Sequence, residues 1–209
     1  MLVEVKNYTK RIRRKLILDH VSLTLNNRKI YGLQGPNGSG KTMLLRAIAG
    51  LIVPTEGNVK INDIVLGSDV DFPPSMGMLI ENPAFIGNYT GRQNLTLLAE
   101  IKQICKKKDI DAAINRVGLD PDDKRHYSKY SLGMKQRLGI AAAIMEKPEL
   151  ILLDEPTNAL DEKGIRDISN IICEEKERGA LIVIARHDAS FLAKIADEIF
   201  AVSEGKVSL

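Results

Sequence analysis

Gly35-Pro36-Asn37-Gly38-Ser39-Gly40-Lys41-Thr42 satisfies the spacing GxxxxGK[ST], follows the apolar run Ile30 to Leu33, and opens a stretch of helical character, MLLRAIAG. Strand, loop and helix therefore occur in the order that a phosphate-binding loop requires. Glycines let backbone N–H groups converge on phosphate oxygens without a Cβ in the way, and the helix N-terminus adds partial positive charge. In such a loop Lys41 is expected to bridge the β- and γ-phosphates, and the Thr42 hydroxyl to ligate Mg²⁺.

Working outward, short apolar runs recur at Leu2 to Val5, Met76 to Ile80, Leu150 to Leu153 and Leu181 to Ala185. Several read as buried parallel strands, and helix-like segments at Thr42 to Ala49, Glu162 to Arg178 and Ala189 to Ala196 follow the runs Ile30 to Leu33, Leu150 to Leu153 and Leu181 to Ala185. This alternation predicts an α/β fold with a mostly parallel core sheet. The first seventy residues are rich in β-branched residues, with turn signals at Asn26-Asn27 and Glu56-Gly57-Asn58, and suggest a smaller N-terminal antiparallel layer. Residues 88–149 are mostly helical in pattern, broken at Gly118 to Asp123 and at Pro148, which predicts an inserted helical subdomain within one domain spanning 1–209.

Composition narrows the function classes. A chain of 209 residues with 44% hydrophobic content can bury a sizeable core, and no apolar run approaches the roughly 20 residues that span a bilayer. MLVEVKNYTK lacks the apolar segment of a signal peptide, so the expected compartment is the cytoplasm. The net charge of +3 is too small to argue for nucleic acid, and Arg11, Arg13, Arg14, Lys15 and Lys106 to Lys108 read as solvated faces. Cys105 and Cys173 stand without a CxxC or a nearby His and suggest neither a metal nor a disulfide framework.

Two more strand ends carry chemistry. Leu150 to Leu153 runs into Asp154-Glu155, and two carboxylates are costly to hold in a dry core, so such a strand usually ends at a polar site. If it lies beside the phosphate-loop strand, Asp154 can hold Mg²⁺ and Glu155 can orient the attacking water as a base. The alternative is that both acids cap the helix after Pro156. His187 ends the run Leu181 to Arg186, where it either serves the γ-phosphate or is structural, with Asp188 capping the next helix.

Tyr130-Ser131-Leu132-Gly133-Met134-Lys135-Gln136-Arg137 precedes the Asp154-Glu155 strand and is similar to the LSGGQ signature, with trailing QR, of ABC transporter ATP-binding subunits. The resemblance runs from about Leu2 to the end of the chain. It implies the ABC-ATPase form of the P-loop fold, with ATP and Mg²⁺ as cofactors and with hydrolysis coupled to transport. Ser131 and Gly133 match the signature serine and second glycine, while Leu132 and Met134 depart from it. A serine-capped helix start is compatible with this, since a helix N-terminus is an anion site. The family implies a sandwich of two such subunits, each signature facing the partner's phosphate loop, and the intact set of catalytic motifs permits a homodimer in the ATP-bound state. Asp161 in Asn158-Ala159-Leu160-Asp161 matches the D-loop acid, and His187 the switch histidine. Ile12 falls where a tyrosine commonly stacks on adenine, with Tyr8 four residues away as a substitute.

Glu81, in MLIENPAF, occupies the position where the family ordinarily has the glutamine of the Q-loop. It shares this acid, and the YSLGMKQR form of the signature, with ATP-binding subunits of the bacitracin and lantibiotic exporter type. A carboxylate there could face Mg²⁺ but lacks an amide donor and would repel the γ-phosphate if unpaired. The resemblance thus implies export of a peptide or other amphipathic compound through separate polytopic membrane permease subunits, from a peripheral position on the cytoplasmic face. The helical subdomain would receive a coupling helix. The alternative is a soluble ABC ATPase in a non-transport complex such as iron–sulfur cluster assembly.

Overall fold

A computed structural model describes residues 1–81 and 83–209. Two sheets organise the chain. β1 (Leu2–Ile12), β2 (Lys15–Asn26), β4 (Glu56–Ile61) and β5 (Ile64–Val65) form an antiparallel sheet in the order β2-β1-β4-β5. β3 (Ile30–Gln34), β6 (Met76–Leu79), β7 (Leu150–Asp154), β8 (Leu181–Arg186), β9 (Glu198–Ser203) and β10 (Lys206–Ser208) form the second, in the order β10-β9-β3-β8-β7-β6. Its neighbours are parallel except for the β9–β10 pair.

Every residue of β7 and β8 is buried, because both faces of the second sheet are covered. Ile151, Leu153, Ile182 and Ile184 point into one core, which contains residues of α4 (Leu132–Ile144), α5 (Glu162–Arg178) and α6 (Ala189–Ile195). Leu150, Leu152, Leu181 and Val183 point the other way, toward α1 (Lys41–Ile48) and the antiparallel layer. The continuous apolar runs of the sequence are this two-sided burial.

Three expectations change. The Asp154-Glu155 strand is not next to the phosphate-loop strand: β8 lies between β7 and β3, with Gln34 opposite Arg186 and Ala185 opposite Asp154. Glu56-Gly57-Asn58 is not a turn but the start of β4, and Gly57, at φ 81°, sits where the pairing with β1 shifts register between Lys6 and Thr9. Finally, residues 198–208 add β9 and β10, which the apolar runs did not mark.

Residues 88–149 hold α2 (Gly91–Lys102), α3 (Lys107–Arg116), a 3-10 turn at Tyr127–Lys129 and α4. Thr90 starts α2 with a capping box, accepting from the Gln93 N–H while the Gln93 side chain accepts from its own. α4 packs on β6, and α2 and α3 stand on α4. Among the described residues no helix is long and apolar enough to cross a membrane.

Candidate active site at the carboxyl edge of the parallel sheet

Because β3, β6, β7 and β8 are parallel, their carboxyl ends share one edge, and the segments after them gather there. After β3 the chain turns through Gly35 to Gly40 into α1. Gly40 is the N-cap at φ 114°, a left-handed conformation open to glycine, and no side chain among the described residues caps the helix. The first-turn amides are thereby left for an anion. Lys41 Nζ donates to the carbonyls of Gly35 at 2.7 Å and Pro36 at 2.9 Å, curling the loop around its own lysine. Burial lowers the Lys41 pKa, while the charges of Glu155 and Asp154 oppose that shift. Ser39 anchors the loop from below: its N–H donates to Pro36, and its carbonyl accepts from Gly205.

A cavity of about 310 Å³ opens above this loop, lined by Asn37, Gly38, Gly40, Lys41, Thr42 and Met43 together with Ile17, Asp154 and Glu155. That volume is in the range of small-molecule sites. A somewhat larger cavity, about 370 Å³, lies on α2 and α3 and includes none of these residues.

α1 packs across β8 and β7, and this brings Thr42 to Asp154 although β7 is one strand removed. The Thr42 hydroxyl donates to Asp154 Oδ2 at 2.6 Å. Desolvation raises the Asp154 pKa, against the Thr42 hydrogen bond and the Lys41 charge, with Glu155 and Glu81 pushing further upward. Glu155 follows in a left-handed conformation, φ 47°, which turns the chain off the sheet while its N–H stays bonded to Ala185 O. Its Oε1 accepts from the His187 backbone N–H at 3.0 Å and lies 2.7 Å from His187 Nδ1. Its Oε2 is buried and has no hydrogen-bond partner among the described residues. Neither acid caps a helix: α5 starts at Glu162, capped by Asp161, which accepts from Gly164 N–H. Asp188 does cap α6, through Ser190, and that bond holds its carboxyl below the usual range.

Ser131 is the N-cap of α4 and accepts from Met134 N–H at 3.2 Å. At Gly133 an added Cβ would come within 2.9 Å of Ala159 O, so the signature rests on the Asn158–Asp161 turn of the same chain. Gln136, buried within α4, donates through Nε2 to the Glu155 carbonyl. This link between the signature helix and the Glu155 turn had no signal in the sequence beyond the QR pair.

Tyr8 is not available to adenine: it is buried in the antiparallel layer, its hydroxyl donates to Ile52 O at 2.8 Å, and burial pushes its pKa up to about 12. Ile12 is exposed at the end of β1, and the apolar residue of β2 that lines the cavity is Ile17, which sequence reading passed over. Glu81 leaves β6 at φ 61° with its carboxylate 2.7 Å from Arg46 Nη2 on α1.

The sequence model of the ABC transporter family matches residues 18–158, which include the phosphate loop, the signature and Asp154-Glu155. The chain belongs to the ABC transporter family. This ABC ATPase is similar to the uncharacterized ABC transporter ATP-binding protein YybJ of Bacillus subtilis (strain 168), with 48% identity over 206 residues, covering 99% of this chain and 94% of that one. It is also similar to the bacitracin transport ATP-binding protein BcrA of Enterococcus faecalis, 39% identical over 98% of this chain and 67% of that protein. Among solved structures it resembles the dimeric post-hydrolysis state of the ATP-binding cassette MJ0796 bound to ADP and Pi, with a TM-score of 0.88 and 26% identity over 99% of this chain and 97% of that one.

Proposed function

We propose that this ABC ATPase powers export of a peptide antibiotic or other amphipathic compound through separate membrane permease subunits, acting as a pair of copies on the cytoplasmic face. One observation carries the catalytic assignment. Glu155, which lines the phosphate-loop cavity, has one oxygen fixed by His187 and the other buried, without a partner among the described residues. An oriented carboxylate with one idle oxygen is the geometry of a base that accepts a proton from water.

ATP is read onto the loop as follows. The backbone N–H groups of Gly38, Gly40, Lys41 and Thr42, free among the described residues, and the Lys41 ammonium are assigned to the β- and γ-phosphates, and Ile17 offers an apolar side, with Ile12 the second apolar candidate on the same hairpin. Thr42 and Asp154 fit Mg²⁺: they are two hard oxygen donors already converged to 2.6 Å, and the carboxylate bears a desolvation cost that a cation would relieve. Among the described residues no three His, Cys, Asp or Glu side chains cluster as a metal site, which suits an ion completed by phosphate oxygens and water. Glu81 is a further carboxylate toward that position. When bound, Mg²⁺ would offset negative charge on the phosphates. Glu155 takes the proton as the water oxygen bonds to the γ-phosphorus and the bond to the ADP oxygen breaks. His187 holds Glu155 in place through its backbone N–H and Nδ1, and its exposed ring is assigned to the same phosphate.

Ser131 and Gly133 are assigned to the partner copy's nucleotide, and Asp161 to the surface between copies. Residues 88–149 are assigned to the membrane subunit, on the exposed apolar side chains Leu97, Leu98, Ile101 and Ile104. The similarity to BcrA, a bacitracin transport ATP-binding protein, favours this reading over the soluble-complex alternative. The test is ATPase assay of Glu155→Gln, which keeps the acceptor oxygen facing His187 but removes the base. Hydrolysis should fall about 10²- to 10⁴-fold with ATP still bound. Hydrolysis at the parent rate would overturn the assignment, and recovery of the chain only in a soluble complex, without a polytopic partner, would overturn the transport reading.

A further inference from the structure

An acid at residue 81 poses an electrostatic problem for a site that binds a polyanion. Glu81 lies two residues beyond β6, the strand next to the one that ends at Asp154, and after burial and Glu155 its charge makes the smallest contribution to the raised pKa of Asp154. Its field therefore reaches the acid that contacts Thr42. Arg46 stands four residues after Thr42 on α1, so the two side chains share one face of the helix that begins at the phosphate loop. Its Nη2 is 2.7 Å from Glu81 Oε1, an ion pair between a half-buried arginine and an exposed carboxylate that spans the phosphate-loop helix and the segment leaving β6. Neither the sequence motifs nor the family resemblance gave Arg46 a role.

We propose that Arg46 is a positioning residue for Glu81: it draws the carboxylate against α1 and offsets its charge, so that an acid can stand beside the γ-phosphate without repelling the nucleotide. This inference rests on the ATP-binding reading. The chemistry is charge compensation between side chains of this chain, so it is measurable without Mg²⁺ and without turnover.

The experiment is ATP binding in EDTA by titration calorimetry, at low and high salt, for the parent, Arg46→Gln, Arg46→Lys, Glu81→Gln and the Arg46→Gln/Glu81→Gln double variant. Arg46→Gln should weaken ATP binding about fivefold, or about 1 kcal/mol, the upper range for a partly exposed pair. Arg46→Lys should recover most of that loss, Glu81→Gln should tighten binding, and the double variant should bind like Glu81→Gln. Raised salt should shrink the Arg46→Gln effect. The same loss from Arg46→Gln with and without Glu81 would overturn the proposal, since Arg46 would then act on the phosphates or on the helix itself. No loss in either background would overturn it as well. Thermal melts of each variant separate misfolding from weak binding, and failure of the parent to bind ATP would sink the nucleotide reading instead.

Discussion

Gly77→Ala should damage the cassette more than any other single methyl group added to β6. Gly77 lies on β6 where α4 crosses closely, and a Cβ there would stand 1.8 Å from Ala143 O and 2.8 Å from Ala143 C. An ordinary contact is at least 3.4 Å, so helix and strand would have to part by roughly 1.5 Å. Both obstacles are backbone, with no flexible side chain to swing aside. Overpacking typically costs 1–3 kcal/mol, and a rigid backbone clash belongs at or above the top of that range. At about 3 kcal/mol the melting temperature should drop by about 6–12 °C for a chain of this size. The displacement also reaches the site, because α4 carries Ser131 at its start and Gln136, bonded to the Glu155 carbonyl, in its second turn. ATPase activity at a temperature where the variant is still folded should therefore fall as well. The control is Gly67→Ala, where the added Cβ meets nothing within 4 Å and the cost is confined to its φ of +78°. A Gly77→Ala protein as stable as Gly67→Ala, with parental ATPase, would refute the claim that α4 is seated on β6 by that close approach.

Other outcomes are expected. Asp154→Asn keeps an acceptor for Thr42 but removes a buried charge, so the variant should melt higher than the parent in EDTA at neutral pH while losing Mg²⁺-dependent hydrolysis. Asp154 has its folded pKa raised, so its stabilising proton uptake is present below the ordinary value of 3.8 and is lost as pH rises through the raised value. The Asn advantage should thus shrink as pH falls toward 3.8, read by melting curves across pH. Tyr8→Phe removes the hydroxyl bond to Ile52 O and should cost about 1 kcal/mol of stability with unchanged ATP affinity. Weaker ATP binding would place Tyr8 at the nucleotide after all. Ser131→Ala should cost about 1 kcal/mol through the lost α4 cap and should weaken ATP-driven association of two copies, measured by size-exclusion in a Glu155→Gln background.

What could be read in the sequence was local or repeated. The phosphate loop declares itself because glycine spacing, the lysine and the following helix are contiguous, and β7 and β8 because both faces are buried and the runs have no polar break. Strand order could not be read, since Leu150 to Leu153 and Leu181 to Ala185 are equally apolar and nothing local says which lies beside β3. β9 was missed although Ile199 to Val202 is apolar, because from Phe200 to Ser203 the strand alternates buried with exposed residues and is not a run buried on both faces. Gly57 misled because glycine serves a bulge as readily as a turn. The pairs that shape the site, Arg46 with Glu81 and Gln136 with Glu155, join residues 35 and 19 apart, and sequence pattern carries no sign of such contacts.

The bond from Gln136 to the Glu155 carbonyl has a consequence for counting. In a sandwich of two copies, the α4 start of one chain would touch its partner's ATP while Glu155 serves its own. That hydrogen bond, with the packing of Gly133 on the Asn158–Asp161 turn, would then link the chemistry of one nucleotide to the occupancy of the other. Such wiring makes the pair a two-input gate rather than two independent motors: hydrolysis should rise with ATP at a Hill coefficient above one, and Gln136→Leu should bring it toward one while each site still binds.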